Sequence, residues 1–281
     1  MKYFSVDNFI NKKLCKKLIK ESNSIKNIKN KTEIHGGRKF LSSTDIEFYN
    51  LLNNSKDWRN LVNQINSEKF LGSCLRKFNL EEKKFSLVDF FKYKNLTNIQ
   101  KSYKKLSSTV TRLISTKNLI LYSLIRIYRD GLRKFKFSKL FYPNKSAVEL
   151  LFDYSKAGNG YSRQIHRDSD NRLVVFILYL NSPSKTDNHK GGNFDIYKLI
   201  NGKKNVPFPD KKNCKKIKSI KPKPGQLIVF LNDNNSFHGV EKMKNHSQSR
   251  DFIYGGFTLL NKKNPYIDKN NKVATEFHLY D

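Results

Sequence analysis

The sequence has few cysteines and no paired ones. Its 281 residues include three cysteines, Cys15, Cys74 and Cys214, which lie far apart, and none belongs to a C-x-x-C pair. This pattern excludes a disulfide framework and the usual spacing of a zinc site. We therefore expect reduced thiols that are mostly buried.

Long apolar runs are also missing. No run approaches the roughly 18–20 residues that a membrane-spanning helix needs. The first 22 residues are amphipathic and heavily charged, and they lack the apolar core and small-residue cleavage site of a secretory signal. We expect a cytoplasmic protein without a membrane span.

Acidic residues are scarce: 24 Asp and Glu stand against 55 Lys and Arg, a formal net charge of +31. Such a charge would attract nucleic acid or another polyanion. However, lysine, asparagine and isoleucine dominate the whole chain, as codon usage in an AT-rich genome would produce. The charge is therefore either functional or compositional, and nucleic acid is not the favoured partner.

The sequence does contain enough apolar residues for a packed core: 37% of its residues are hydrophobic and 13% are aromatic. This is the composition of a globular protein. Helical spacing of apolar residues predicts a mainly helical region over residues 1–145. The clearest segments are 7–22, with Asp7 as its N-cap, then 43–55, 58–71 and 87–96. Residues 107–135 fit either a helix or strands.

After residue 145 the pattern changes to short β-rich runs separated by Gly, Pro, Asn and Asp. This pattern predicts an antiparallel sandwich or barrel. We therefore divide the chain into an N-terminal region (1–145) packing on the core, a β-rich core (146–262) and a C-terminal extension (263–281). The predicted strands lie within 147–155, 164–168, 172–181, 191–200, 215–233, 237–243 and 250–260.

Candidate site residues gather in this β-rich part. His166 and Asp168 precede one apolar strand, and His238 follows another. Two imidazoles and one carboxylate can bind one face of Fe(II) and leave positions open for a co-substrate and dioxygen. If 2-oxoglutarate chelates the metal, its distal carboxylate needs a cation, and Arg250 offers a bidentate fork. Tyr154 could add a hydroxyl.

Residues 148–260 resemble the Fe(II)/2-oxoglutarate-dependent dioxygenase superfamily, in its prolyl-4-hydroxylase-like branch. The resemblance implies a double-stranded β-helix (jelly roll) and Fe(II) held by His166, Asp168 and His238. It also implies 2-oxoglutarate anchored by Arg250 and Tyr154, a hydroxylation that consumes dioxygen, and possible rescue of the iron by ascorbate. The matching positions are Tyr154, Gly160, Tyr161, His166, Asp168, Tyr179-Leu180-Asn181, Gly191-Gly192, Pro224-Gly225, Phe230, His238-Gly239-Val240 and Arg250.

Comparison of single positions with the family pattern reduces the number of possible reactions. Halogenating relatives replace the metal carboxylate, so Asp168 favours hydroxylation. Nucleic-acid repair relatives carry a second arginine where this chain has Gly256. The best-known prolyl hydroxylases carry lysine at the position of Arg250. The first expectation for the substrate is a protein or peptide side chain. The alternatives are a free amino acid, a sugar or another small metabolite, and a catalytically silent polyanion-binding protein.

Overall fold

The computed structural model describes residues 1–25, 29–31, 37–89, 145–182, 190–202, 206–260 and 264–267. The helices are α1 (Lys12–Ser22), α2 (Ile46–Asn54), α3 (Lys56–Ile65) and α4 (Glu68–Lys77). The strands of the N-terminal region are β1 (Tyr3–Val6), β2 (Lys29–Lys31), β3 (Arg38–Ser42) and β4 (Phe85–Val88). Those that follow are β5 (Ser146–Ala157), β6 (Arg163–His166), β7 (Arg172–Tyr179), β8 (Phe194–Leu199), β9 (Cys214–Ile220), β10 (Leu227–Leu231), β11 (His238–Val240) and β12 (Arg250–Leu259).

The strands form two sheets. The larger sheet has eight strands in the order β1-β10-β7-β12-β5-β3-β2, with β4 paired in parallel to β5. The smaller sheet has the order β6-β11-β8-β9. All the other pairings are antiparallel. This arrangement confirms the predicted jelly roll with packed helices.

The alternation of side chains along each strand of the larger sheet supplies two separate cores. One face, with Val175 and Ile177 of β7, packs against Phe194 and Ile196 of the smaller sheet. The other face packs against the helices, where Trp58 of α3 is fully buried. Because successive residues of a strand point to opposite faces, β7 serves both cores. The position of a residue in this alternation therefore decides whether it faces the space between the sheets.

The N-terminal region contributes strands as well as helices. Strand β1 pairs with β10, while β3 and β4 both pair with β5. The prediction of a mainly helical region left these strands out, and β4 ends inside the apolar run 87–96 that suggested a helix. The boundaries after residues 145 and 262 stay predictions. The ambiguous segment 107–135 lies outside the described residues.

Helix α1 begins later than predicted. Its N-cap is Asn11, whose side chain accepts a hydrogen bond of 2.8 Å from the backbone N–H of Leu14. Asp7, the predicted cap, instead accepts hydrogen bonds from Lys223 at 2.8 Å and Gln226 at 3.0 Å. It thereby ties the N-terminus to the turn before β10.

Two glycines allow β12 to lie in the middle of the larger sheet. A methyl group on Gly255 would overlap Phe152 of β5, and one on Gly256 would overlap the backbone of Val174 in β7. These are the close backbone approaches for which glycine is suited within a strand. Packing on both sides fixes β12, which carries Arg250 at its beginning.

Part of the positive charge lies on β9. Among the described strands it pairs only with β8, at the edge of the smaller sheet, and its residues Lys215, Lys216 and Lys218 are exposed. Lysines on an edge strand discourage pairing with other chains. They therefore have a structural explanation that needs no polyanion. Within the described residues, no helix is long and apolar enough to cross a membrane.

Candidate metal centre

His166, Asp168 and His238 come together between the two sheets. Their ligand atoms all lie within 4.8 Å of one another, and the residues are only 4%, 6% and 3% exposed. His166 ends β6 and His238 begins β11, where the antiparallel register places them opposite each other. Asp168 lies in the short turn between β6 and β7. Residues 72 positions apart along the chain (238 − 166) thus share one site.

Backbone carbonyls orient both imidazole rings. Nδ1 of His166 lies 2.9 Å from the carbonyl oxygen of Gln164, and Nδ1 of His238 lies 2.9 Å from that of Ser236. A carbonyl can only accept, so each Nδ1 carries the proton and each Nε2 keeps its lone pair. Burial lowers the pKa of His238, which favours the neutral ring that a metal requires. This is the usual outer support of a metal-binding histidine.

Asp168 completes the donor set. Its Oδ1 accepts a hydrogen bond from the hydroxyl of Tyr254. Its Oδ2 is buried 3.6 Å from Nε2 of His238 and has no hydrogen-bond partner within the described residues. A buried carboxylate oxygen without a partner is costly, and a cation among the three side chains would satisfy it. Two nitrogens and one oxygen are the donors of a facial Fe(II) site, so the residues fit this metal.

Tyr254 is a functional candidate that sequence reasoning missed. Burial raises the pKa of its hydroxyl, so the hydroxyl stays protonated and continues to donate to Asp168. It thereby fixes the orientation of the carboxylate. The alternation of side chains along β12 could have identified Tyr254. Tyr254 and Arg250 lie four residues apart, and residues an even number apart in a strand face the same side.

Arg250 lies farther along this face. It is 3% exposed, and neither its Nε nor its Nη2 has a hydrogen-bond partner in the part of the chain that the structure describes. Burial lowers its pKa, and the nearby hydroxyls of Tyr179 and Tyr161 oppose that shift. An arginine nevertheless keeps its proton in proteins. The result is a buried cation beside two tyrosines, with no anionic partner among the described residues.

The structure does not bring Tyr154 to this place. Its ring packs edge-on against Trp58, with 5.7 Å between centroids, in the core between the larger sheet and the helices. Tyr154 pairs with Ile253 rather than with Arg250 or Phe252, so it points away from the space between the sheets. The expectation that it binds the co-substrate is corrected: Tyr161 and Tyr179 are the tyrosines beside Arg250.

His246, the remaining histidine among the described residues, does not join the group. His246 is 7% exposed, and its Nε2 lies 3.3 Å from the carbonyl oxygen of Lys190. His35, His189 and His278 lie outside the described residues. A second aromatic residue that the sequence did not indicate is Phe208, which stacks on His166 at 6.1 Å between centroids and 17° between planes. It covers one side of the metal group.

Gly192 makes room for Arg250, which leads to a prediction. Its φ is +80°, and a methyl group there would overlap Nη2 of Arg250. We expect Gly192→Ala to displace the guanidinium and weaken 2-oxoglutarate binding about 10- to 100-fold, with metal affinity unchanged. Calorimetric titrations of metal and 2-oxoglutarate would measure both.

Gly202→Ala is the matched control for this substitution. Gly202 has a φ of +98°, but its nearest neighbour would be 3.7 Å from the new methyl group. Both variants carry a backbone strain of about 1–3 kcal/mol, while only Gly192→Ala crowds the arginine. Equal 2-oxoglutarate affinities in the two variants would contradict the role assigned to this glycine.

Comparison with known proteins agrees with the site. Residues 151–255 match the sequence model of the 2OG-Fe(II) oxygenase superfamily. No curated protein sequence matches the chain. Similar solved structures include a prolyl-4-hydroxylase from Pseudomonas putida, with 14% identity, a TM-score of 0.40, and 92% of each chain covered. Another, of prolyl 4-hydroxylases from Phytophthora capsici, has 12% identity and a TM-score of 0.49, and covers 94% of this chain and 61% of that one.

The fold is a jelly roll, and its buried His-Asp-His group could hold a metal ion. Residues 151–255 match the 2OG-Fe(II) oxygenase superfamily, and this match supports an oxidoreductase of the 2-oxoglutarate-dependent dioxygenase type. The family implies Fe(II) and 2-oxoglutarate. Because the structural similarities have low identities and scores, this assignment rests on the family match.

Proposed function

We propose that the protein hydroxylates an unactivated C–H bond in a reaction that consumes 2-oxoglutarate and dioxygen. His166, Asp168 and His238 would hold Fe(II), which when bound supplies the chemistry that activates dioxygen. One oxygen atom would enter the substrate as a hydroxyl, and the other would enter succinate as 2-oxoglutarate loses CO2. Ascorbate could return over-oxidised iron to Fe(II).

The single observation that carries the proposal is the pairing of this donor set with Arg250. Arg250 and Tyr254 lie on the same face of β12, and four residues of strand span about 13 Å. The side chain of Arg250 and 2-oxoglutarate, a five-carbon diacid, can together bridge this distance between the beginning of β12 and the metal group. The keto-acid end of 2-oxoglutarate would then reach the metal, while its distal carboxylate would satisfy the buried guanidinium. Tyr161 and Tyr179 would add hydroxyl contacts.

The side chains around the centre have separate tasks. The carbonyls of Gln164 and Ser236 keep each imidazole in the tautomer that binds metal, and Tyr254 orients the carboxylate. Phe208 shields one side of His166 from water. Since a preorganised and dry site needs little rearrangement during the reaction, these contacts support catalysis rather than metal storage.

For the substrate, we propose a protein or peptide side chain, as in the prolyl-4-hydroxylase-like branch. This step rests on family analogy, because a fold does not define a substrate. A free amino acid, a sugar or another small metabolite is the alternative. A screen of peptide and metabolite libraries for compounds that increase succinate release would identify the substrate.

An anaerobic titration tests the chemistry. Fe(II) and then 2-oxoglutarate are added to the protein while the visible spectrum is recorded. We expect a charge-transfer band that appears with 2-oxoglutarate but not with succinate, which lacks the keto oxygen. Admission of air should then produce succinate slowly. A folded, iron-loaded sample without the band would contradict the proposed function.

A further inference from the structure

Three arginines lie at the metal group: Arg38 and Arg172 over the ring of Tyr254, and Arg163 beside His166. The guanidinium carbons of Arg172 and Arg38 lie 4.8 Å and 5.7 Å from the centre of the Tyr254 ring. Nε of Arg163 lies 3.3 Å from Nε2 of His166. Arg38 and Arg172 are 5% and 3% exposed, so strong positive charge is concentrated in a place with little water.

These arginines come from different parts of the chain. Arg38 belongs to β3 of the N-terminal region, Arg163 begins β6 and Arg172 begins β7. Arg38 is held by Asp153 at 2.9 Å and by the hydroxyl of Ser155 at 3.0 Å. It also lies outside residues 151–255, which match the oxygenase superfamily. The N-terminal region therefore adds a cation to the space beside the metal group.

The positive charges act on one another. Arg163 lies near Tyr254 and Asp168 and also near Arg38, so these charges interact. Asp168 is also the carboxylate of the candidate metal centre. A divalent cation bound there would share this carboxylate and add two positive charges. The metal-loaded site would then repel Arg163 more strongly unless an anion lay nearby.

The position of the cluster separates it from the co-substrate pocket. Arg250 begins β12 beside Tyr161 and Tyr179, whereas the guanidinium groups of Arg38 and Arg172 lie over the ring of Tyr254, four residues farther along that strand. A single 2-oxoglutarate needs one cation for its distal carboxylate. The second cationic place therefore suits a second anionic ligand next to the metal.

Resting on the proposed function, we propose that the substrate carries a carboxylate or phosphate group beside the C–H bond that is oxidised. Arg163 and Arg38 would bind this group, with Arg172 behind Tyr254 reinforcing the positive charge. The anion would arrive as part of a free acid or as an acidic or phosphorylated residue of a peptide. In both cases the arginine forks would orient the substrate over the metal.

Inorganic phosphate is a direct probe of this site. In protein loaded with Mn(II) and saturated with 2-oxoglutarate, the metal accelerates phosphorus nuclear relaxation of a phosphate bound beside it. We expect this relaxation enhancement in the natural protein. In Arg163→Gln we expect the enhancement to fall about tenfold or more, since a charge-assisted hydrogen bond to the phosphate is removed. Arg163→Lys should give an intermediate value because it keeps the charge but not the fork.

The control is Lys218→Gln on the exposed edge strand β9, which removes one positive charge away from the metal group and should leave the enhancement unchanged. Mn(II) affinity, measured by electron paramagnetic resonance, verifies that each variant still holds the metal. An enhancement of full size in metal-loaded Arg163→Gln would mean that phosphate binds the metal itself or a general surface charge, and would overturn the proposal.

A second measurement uses the natural protein and does not depend on a variant that folds. Succinate release is compared for matched pairs: free carboxylic acids and their amides, peptides with Glu or Gln, and peptides with phosphoserine or serine. We expect the anionic member of a productive pair to have a kcat/KM about tenfold or more above its neutral partner, and the productive pair identifies the source of the anion. Equal values would overturn the anion site, while the charge-transfer band would still support the oxygenase.

Discussion

His166→Ala is expected to eliminate succinate release and to weaken Fe(II) binding by more than about 100-fold. Loss of an outer hydrogen bond to a metal ligand already costs about 10- to 100-fold, and this substitution removes a ligand itself. His238 and Asp168 alone cannot hold the metal at a defined position. Iron titration by calorimetry and a succinate assay measure the two effects.

The fold should survive this substitution. His166 ends β6 at one side of the smaller sheet, and its imidazole makes polar contacts with Gln164 and Arg163 rather than forming part of the apolar core between the sheets. His246→Ala is the matched control, because His246 is also a buried histidine but lies outside the metal group. It should retain iron affinity and turnover. Continued succinate release by His166→Ala would show that the site is assigned to the wrong residues.

Arg250→Met is expected to change stability and binding in opposite directions. Without 2-oxoglutarate, the guanidinium is buried with Nε and Nη2 unsatisfied by any described residue. A methionine of similar length places an apolar chain among Phe252, Tyr161 and Tyr179. Since each unsatisfied buried polar group costs about 1–3 kcal/mol, the free energy of unfolding should rise by about that amount in the protein without co-substrate.

The same variant should lose most of its affinity for 2-oxoglutarate. Removal of one partner from a buried charge pair costs about 2–5 kcal/mol, equivalent to about a 30-fold loss or more. Urea denaturation with and without 2-oxoglutarate measures both quantities, because a ligand that binds only the folded state stabilises it. The natural protein should be stabilised by 2-oxoglutarate and the variant should not.

Arg59→Met is the comparison for Arg250→Met. Arg59 lies in α3, where its Nη1 donates to the carbonyl oxygens of Leu52 at 2.5 Å and Asn53 at 2.8 Å. Removal of a satisfied guanidinium should lower stability and leave 2-oxoglutarate binding intact. If Arg250→Met behaved in this way instead, Arg250 would be a structural residue and the co-substrate pocket would lie elsewhere.

Much of the β-rich part could be predicted from local patterns. Alternating and apolar runs identified the segments that become β5 to β12, because burial between two layers imposes those patterns. The strands of the N-terminal region were missed for a physical reason. β1 and β4 have four residues each, which is too short for a period to be distinguished, and their pairing partners lie far away along the chain.

Tyr154 shows the limit of reasoning from motif order. Its place in the sequence suited a co-substrate ligand, yet a shift of one residue in a strand reverses the face. Ala157 pairs with Arg250, whereas Tyr154 pairs with Ile253 and faces the helices. The register of β5 against β12 decided this, and no local feature of the sequence states that register.

The sequence by itself predicted the candidate metal donors and the proposed cation for the co-substrate, because their spacing relative to strong strands limits where the side chains can meet. Only the tertiary structure decided which tyrosines accompany Arg250 and that Tyr254 holds Asp168. It alone also brought Arg38 to the ring of Tyr254, through an ion pair with Asp153, 115 residues away along the chain. Such contacts depend on register and on which face of the sheet a residue occupies, and pairing between distant strands sets both.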